Sequence, residues 1–103
     1  MISNKAVGIS KDSIVVVSQD QVSCGLSGES AILNLKAGVY YGLNELGTRI
    51  WKLIHKPKKV REIRDAILAE YEVEPDRCEI DILALLQKLI ENGLIEVMDE
   101  SVK

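Results

Sequence analysis

Apolar and polar residues alternate in the middle of the N-terminal half, as is typical of a strand with one buried face. The alternation runs from Ser30 to Leu35. Lys36–Ala37–Gly38 suits a tight turn, because Gly38 can adopt a positive φ. Val39 to Leu43 then has the composition of a returning strand. This pattern predicts a β-hairpin from Ser30 to Leu43.

Upstream of the hairpin, a run of four β-branched residues predicts another strand. Ile14 to Val17 is too short for a helix and is bounded by serines. The residues from Gln19 to Gly28 are mostly polar or small, and they include Gly25 and Gly28. They predict a loop that is longer than a hairpin connection requires.

The second half of the chain has helical spacing of its apolar residues. Asn44 suits the N-cap of a first helix that ends before Pro57. A second helix is predicted from Val60 to Tyr71. A third runs from Pro75, a favoured first residue, to about Asn92, where the next residue is a glycine suited to a left-handed cap.

The order of these elements predicts the fold class. Three strands followed by three helices indicate an α+β fold that is winged helix-turn-helix-like, with an N-terminal three-stranded antiparallel sheet. A short returning strand is predicted from Leu94 to Val97. A hydrophobic fraction of 47% in 103 residues is enough for one core. We therefore expect one domain over 1–103, with its core from about 13 to 97.

The third helix carries more apolar surface than one buried side requires. At about 100° per residue, a sector of about 60° contains a core stripe: Cys78, Ile82, Leu85 and Leu89. A flank adds Leu83, Leu86, Ile90 and Ile80. The apolar arc approaches about 220°, whereas a docked helix needs a stripe somewhat over about 100°. Other elements of the domain could cover the flank. Alternatively, it forms a groove with an open edge of the hairpin, suited to an extended peptide.

Charge weakens a second interpretation, that of a winged-helix nucleic-acid binder. The chain has 16 acidic and 13 basic residues, a net charge of −3, and the third helix with its entry is mostly acidic. Such a surface repels phosphates. No run approaches the roughly 18 apolar residues of a membrane span, and Met1 to Lys11 lacks the apolar core of a signal peptide. We expect a cytoplasmic protein without nucleic-acid or membrane partners.

A third interpretation, a small enzyme, has no catalytic constellation to support it. His55 is the only histidine and is expected at the surface near a helix end. Cys24 and Cys78 are widely separated and are expected to be reduced, small, buried side chains. No nucleophile–base pair, metal site or cofactor site is predicted. Tyr40 and Tyr41 are adjacent on a strand and should point to opposite faces.

Several ordered segments together resemble the PqqD family over about Ile14 to Val97. They are Ala31 to Asn44 with Gly47, Ile50 and Trp51; Val60 to Ile63; Tyr71 to Pro75; Asp81 to Leu86; and Glu91 to Ile95. Asp20 to Cys24, with Gly28 and Glu29 ahead of the hairpin, is similar to the stand-alone members found with lasso-peptide gene clusters.

The resemblance implies a non-catalytic element that recognises ribosomally made, modified peptides. It implies that the leader of a precursor peptide adds as an antiparallel strand to the third strand, against the third helix. The precursor then passes to a leader peptidase, and afterwards to a cyclase. A PqqD-type chaperone role in another modified-peptide or cofactor pathway is the alternative. The cysteines receive no role.

Carried over at the level of whole elements, the resemblance implies a peptide-binding site with two parts. The strand residues are Val39, Tyr40, Tyr41, Gly42 and Leu43, and the helix residues are Glu79, Ile80, Leu83, Leu86 and Gln87. The peptidase needs a separate docking surface. His55 to Arg61 and Gln19 to Gly28 are the candidates, and the second is favoured because it is longer than its connection requires.

Overall fold

The computed structural model describes residues 9–19, 21–26 and 29–98, which form two antiparallel sheets and three helices. The elements are β1 (Ile14–Val17), β2 (Gln21–Leu26), β3 (Glu29–Asn34), β4 (Val39–Leu43), α1 (Glu45–Leu53), β5 (Lys58–Lys59), α2 (Val60–Glu70), α3 (Pro75–Glu91) and β6 (Ile95–Met98). The α+β class, with a three-stranded antiparallel sheet followed by three helices, is confirmed. Most of the N-terminal segment assessed for a signal peptide, and the residues after Met98, lie outside the described residues.

The first sheet has the order β2-β3-β4 and contains a strand that the sequence predicted as a loop. Along its whole length β2 pairs with β3, from Gln21 opposite Asn34 to Leu26 opposite Glu29. The loop prediction was wrong because strand formation here depends on backbone pairing with β3. The small and polar side chains of β2 do not signal that pairing.

The N-terminal strand belongs to a second sheet, with the order β5-β1-β6. Ile14 lies opposite Met98 and Val17 opposite Ile95, so β1 closes against the returning strand after α3. On its other side β1 pairs with β5. The expectation that β1 shares a sheet with the hairpin was therefore wrong, because β5 and β6 occupy both of its edges.

The predicted helix boundaries are set by local hydrogen bonds. The Asn44 side-chain oxygen accepts a hydrogen bond from the Gly47 backbone N–H at 2.9 Å and caps α1. Glu62 accepts one from the Lys59 backbone N–H at 2.8 Å at the start of α2. Pro75 begins α3, and Gly93 follows it with a φ of 71°. The N-cap, the proline start and the left-handed glycine are confirmed.

One apolar core joins the helices to the inner faces of both sheets. Its fully buried side chains are Val15, Ile32, Ile50, Ile54, Val60, Ile63, Ile67, Ile82, Leu86, Leu89 and Leu94. Trp51 is also buried and is the only aromatic among the buried core residues described. The core is therefore mostly aliphatic, and it holds the hairpin and α3 against the same set of side chains.

The hairpin is fastened to the end of α3 by the side chain of Asn34, which is only 7% exposed. Its Nδ2 donates a hydrogen bond to the Asn92 carbonyl at 2.9 Å. Its Oδ1 accepts hydrogen bonds from the backbone N–H groups of Lys36 and Ala37, each at 3.0 Å. A Cβ at Gly93 would lie 2.7 Å from the Asn34 Nδ2, so glycine is needed there for space as well as for its φ.

Replacing Asn34 by alanine should destabilise the fold by about 1–3 kcal/mol, because the Asn92 carbonyl and two backbone N–H groups of the hairpin turn lose partly buried hydrogen bonds. Urea unfolding followed by circular dichroism measures this loss. Asn92→Ala is the matched control, since it removes only an exposed hydrogen bond to the Lys88 carbonyl and should change stability by less than about 0.5 kcal/mol. Equal losses in the two variants would contradict a special role for Asn34.

Candidate functional site

The outer edge of β4 is open. The strand pairs with β3 from Asn34 opposite Val39 to Ser30 opposite Leu43. On its other side no strand pairs with it among the described residues. Backbone N–H and C=O groups along such an edge can pair with another extended chain. The predicted site residues of the strand therefore lie on an edge that can accept a further strand.

Side chains of β4 alternate between the core and the outer face of the sheet. Tyr41 packs against the core and Leu43 is buried within it. Tyr40 is 69% exposed on the opposite face, and Gly42 follows it there. The expectation that the two tyrosines face opposite sides is confirmed, and Tyr41 is the inward one.

One flank of α3 remains accessible beside its buried stripe. We call Glu79, Ile80, Leu83 and Gln87 the α3 flank. Ile80 is 61% exposed, and the other three are half-buried. At about 100° per residue they lie on the same side of the helix. The α3 flank is therefore a partly apolar helix surface that is accessible to a partner.

Leu86 differs from its predicted position in the groove wall. Its side chain has 0% exposure and lies in the core, whereas Leu85, predicted as core, is half-buried. The buried stripe of α3 is Cys78, Ile82, Leu86 and Leu89. The prediction was wrong at Leu86 because a helical wheel gives only relative directions. The packing of α3 against α2 and β6 decides which side faces the core.

An ion pair ties the α3 flank to α2. The Arg64 Nη1 lies 2.8 Å from the Glu79 Oε1, and Arg64 also contacts Asp65 at 3.2 Å. The hydrogen bond that Arg64 donates to Glu79, and then the one that it donates to Asp65, raise the pKa of the Arg64 guanidinium above its ordinary value. The charge of Glu79 is therefore compensated within the domain by Arg64.

The cysteines and the histidine lie apart from one another. Cys24 is exposed, which contradicts its predicted burial, because β2 directs it to the outer face of the sheet. Cys78 is buried as predicted, and burial raises the pKa of its thiol. His55 is exposed as predicted, with Nδ1 2.9 Å from the Trp51 carbonyl oxygen.

Neither a grouped metal-ligand set nor a membrane-spanning helix occurs in the part of the chain that the structure describes. Over 9–19, 21–26 and 29–98, no three His, Cys, Asp or Glu residues are grouped to hold a metal ion. Within the same ranges, no helix has the length and apolar character needed to cross a membrane.

Sequence reasoning missed an open depression of about 630 Å³ beside β4. Its lining residues are Cys24, Glu29, Ser30, Ala31, Tyr40, Gly42, Leu43 and Asn44. Only Tyr40, Gly42 and Leu43 were among the predicted site residues. Ser30 and Ala31 lie opposite Leu43 and Gly42 through the β3–β4 pairing. Cys24 joins them through the β2–β3 pairing, so recognising β2 as a strand was the signal that could have revealed Cys24.

Leu86 and Leu83 of α3 should respond differently to replacement by aspartate. Leu86→Asp places a carboxylate in the core and should unfold the domain, since burying an unpaired charge costs several kcal/mol or more. Leu83→Asp should remain folded, because this side chain is already partly exposed. Circular dichroism and thermal melting distinguish them. A folded Leu86→Asp or an unfolded Leu83→Asp would contradict this division of α3.

Comparison with known proteins bears on the site. The family described as Coenzyme PQQ synthesis protein D (PqqD) matches residues 29–95. The solved structure of TbiB1 in complex with the TbiA(beta) leader peptide is 38% identical, with a TM-score of 0.74, over 79% of this chain and 94% of that one. A lasso peptide synthetase B1 complexed with the leader peptide is 24% identical, with a TM-score of 0.70, over 80% and 96% of the two chains, and shares the fold. No curated protein matches the chain.

Proposed function

Because the chain belongs to the PqqD family, we propose that it binds the leader segment of a ribosomally made precursor peptide. The observation that carries the proposal is the open edge of β4, together with the accessible flank of α3, a helix that packs on the same core as β4. The complex of TbiB1 with a leader peptide supports it, since that protein is 38% identical over 79% of this chain. A lasso-peptide pathway is the setting that this likeness favours.

We propose that the leader adds to β4 as an antiparallel strand. Backbone hydrogen bonds to the open edge supply affinity, and alternate side chains supply specificity. Side chains on the core-facing side of the added strand point as Tyr41 and Leu43 do. They are proposed to pack on Ile80 and Leu83 of the α3 flank, with Gln87 at its margin. Leu86 supports this wall from beneath.

The proposed role is binding without catalysis. An open backbone edge and an apolar flank are features that hold a peptide, and they supply no group that attacks a bond. Nucleic-acid binding gains no specific support from α3. Its exposed acidic residues include Asp76, Asp81 and Glu91, and its exposed Arg77 already lies 3.5 Å from Asp81.

Titration against labelled leaders tests binding. The probes are two fluorescein-labelled peptides: the leader from a precursor gene adjacent to that of this chain, and the TbiA(beta) leader. We expect at least one to bind, and Leu83→Asp to weaken it by about tenfold or more through loss of apolar contact. Met98→Asp, an exposed apolar position on β6, is the matched control and should bind normally. Failure of both leaders to bind would overturn the proposal.

Proline scanning of the bound leader tests strand addition. A proline at a position that donates to β4 removes one backbone hydrogen bond, worth about 0.5–1.5 kcal/mol, apart from any steric cost. We expect losses at every second residue across the paired segment, because only alternate residues of an edge strand face β4 with their N–H groups. A flat profile across the leader would argue against strand addition.

We propose that the loaded domain then delivers the precursor to a leader peptidase. Docking both on one adaptor raises their effective concentration to about the millimolar range. Gln19 to Gly28 is no longer a replaceable loop, because Gln21–Leu26 forms β2. His55 to Arg61 remains the candidate docking segment. Lys56, near the start of this segment, is exposed. Near the end of the segment, the Val60 backbone N–H donates a hydrogen bond to the Ser13 carbonyl at 3.0 Å.

The cleavage rate of precursor by the cognate peptidase tests delivery. We expect the domain to accelerate cleavage and to cleave nothing alone. Lys56→Glu should reduce the acceleration while leader affinity is unchanged, because the charge lies outside the β4 edge. Lys36→Glu, an exposed position in the hairpin turn, is the control. Equal acceleration by the parent protein, Lys56→Glu and Lys36→Glu would show that this segment is not part of the docking surface. Cleavage of the precursor by the domain alone would refute the non-catalytic role.

A further inference from the structure

Basic side chains are concentrated around the end of α1 and the start of α2. Five of them lie within ten consecutive residues, and the hydrogen bond from the Arg61 backbone N–H to the Lys11 carbonyl, at 2.9 Å, adds a sixth. We call this surface the basic cap: Lys11, Lys52, Lys56, Lys58, Lys59 and Arg61. The acidic residues next to it in sequence are Asp12 and Glu62, so this region has an excess of four positive charges, whereas the whole chain has a net charge of −3.

The charges of the five lysines in the basic cap are uncompensated. Each arginine among the described residues forms an ion pair with a carboxylate, and Arg61 of the cap pairs with Asp12. None of the cap lysines has such a partner in the described ranges. Four of these lysines are exposed, and only Lys58 is half-buried. Their ammonium groups are therefore available to a charged partner.

Asp12 reports a positive field at this surface. The hydrogen bond donated by Arg61 lowers the pKa of the Asp12 carboxyl below its ordinary value, and the charges of Arg61, Lys11 and Lys59 lower it further. The charged form of a carboxylate is therefore favoured beside the basic cap. Carboxylates from another molecule would meet the same field.

Recognition at the basic cap depends on side-chain charge, because its backbone is already paired. At the start of α2, the N–H groups of Val60 and Arg61 donate to the carbonyls of Ser13 and Lys11, at 3.0 and 2.9 Å. They are not available to bind a single anion at the helix start. Both residues of the edge strand β5 are lysines, which oppose the addition of a further strand. A partner therefore needs several carboxylates spread over a surface.

We propose that the basic cap docks an acidic face of the leader peptidase that receives the precursor. This inference rests on the proposed function and adds the chemistry of the partner to the candidate docking segment. Charge complementarity favours this occupant and accelerates its association. The nine residues of α1 span about 13 Å, and the cap lies at the end of α1 that is away from Asn44 and β4. A peptidase docked at the cap leaves the edge of β4 open to the leader.

Two other polyanions fit the basic cap less well. A protein that lies on a bilayer surface inserts apolar side chains into it, and the exposed large apolar residues of the described ranges include none from 52–61. The net charge of −3 gives no general attraction to nucleic acid. An acidic protein face requires neither an apolar wedge nor a basic chain.

Reversing two exposed charges of the basic cap tests docking. Lys52→Glu combined with Lys56→Glu should weaken binding to the peptidase encoded with the precursor by about tenfold or more, measured by biolayer interferometry. Lys36→Glu combined with Lys88→Glu is the matched control, because it changes the net charge equally at exposed positions. Lys88 also lies in the last turn of α3, as Lys52 does in α1. The control should bind the peptidase normally, and both double variants should keep the leader affinity of the parent.

The parent protein provides a second test that does not depend on the folding of a variant. Its association rate with the peptidase should fall about tenfold or more as sodium chloride rises from about 0.05 M to about 0.5 M, because salt screens exposed charges. A polyglutamate peptide should compete with the peptidase, whereas a Gly-Ser peptide of equal length should not. Phosphatidylserine vesicles and duplex DNA are tested in parallel.

Absent or salt-independent association of the parent with the peptidase would overturn the inference. So would equal peptidase affinity of the parent and the variant with both Lys52→Glu and Lys56→Glu. Stronger binding of the parent to the vesicles or to DNA than to the peptidase would overturn it and assign the basic cap to that polyanion. Normal leader binding in any of these cases leaves the leader-binding function intact. Failure of the parent to bind either labelled leader would refute that function itself.

Discussion

The carbonyl groups at the C-terminal end of α3 need hydrogen-bond donors, and both sheets supply them. The Asn34 side chain at the end of β3 donates to the Asn92 carbonyl at 2.9 Å. Ser18, which follows β1, donates its hydroxyl to the Gly93 carbonyl at 3.1 Å and its backbone N–H to the Leu94 carbonyl at 2.9 Å. Buried carbonyls left without partners would destabilise the fold. The short turn formed by Asn92, Gly93 and Leu94 thus sets where the hairpin, the second sheet and α3 meet.

Ion pairs between secondary-structure elements contribute more to the relative placement of the helices than to the free energy of unfolding. Arg49 bridges α1 to Glu70 of α2 at 2.6 Å, and the hydrogen bond with Arg49 lowers the pKa of that carboxyl. Arg61 at the start of α2 pairs with Asp12 ahead of β1. Such exposed pairs contribute about 0–1 kcal/mol each. The apolar core therefore supplies most of the stability, and the charges favour one relative placement of the helices.

Local patterns predicted the helices and the hairpin because their signals lie within a few residues. Asn44 and Gly93 mark helix ends by their own chemistry, and Gly38 marks the turn with a φ of 70°. The partition of strands between two sheets depends on pairing between distant segments, which no local pattern contains. Leu86 shows the same limit for the site, since its burial depends on which neighbours α3 packs against. The depression beside β4 needs three strands in register, so the sequence alone did not reveal it.

The alternation of side chains between the two faces of β4 has a consequence for the register in which a precursor peptide would pair with it. A strand displaced by one residue exchanges every side chain between the two faces of the sheet. A leader paired with β4 and held against the α3 flank, as proposed, cannot slide by a single residue without turning its contacting side chains to the other face. Each residue of a strand spans about 3.3 Å. Such a fixed register would make the domain a molecular ruler, which sets how far along the precursor the first processing step can reach.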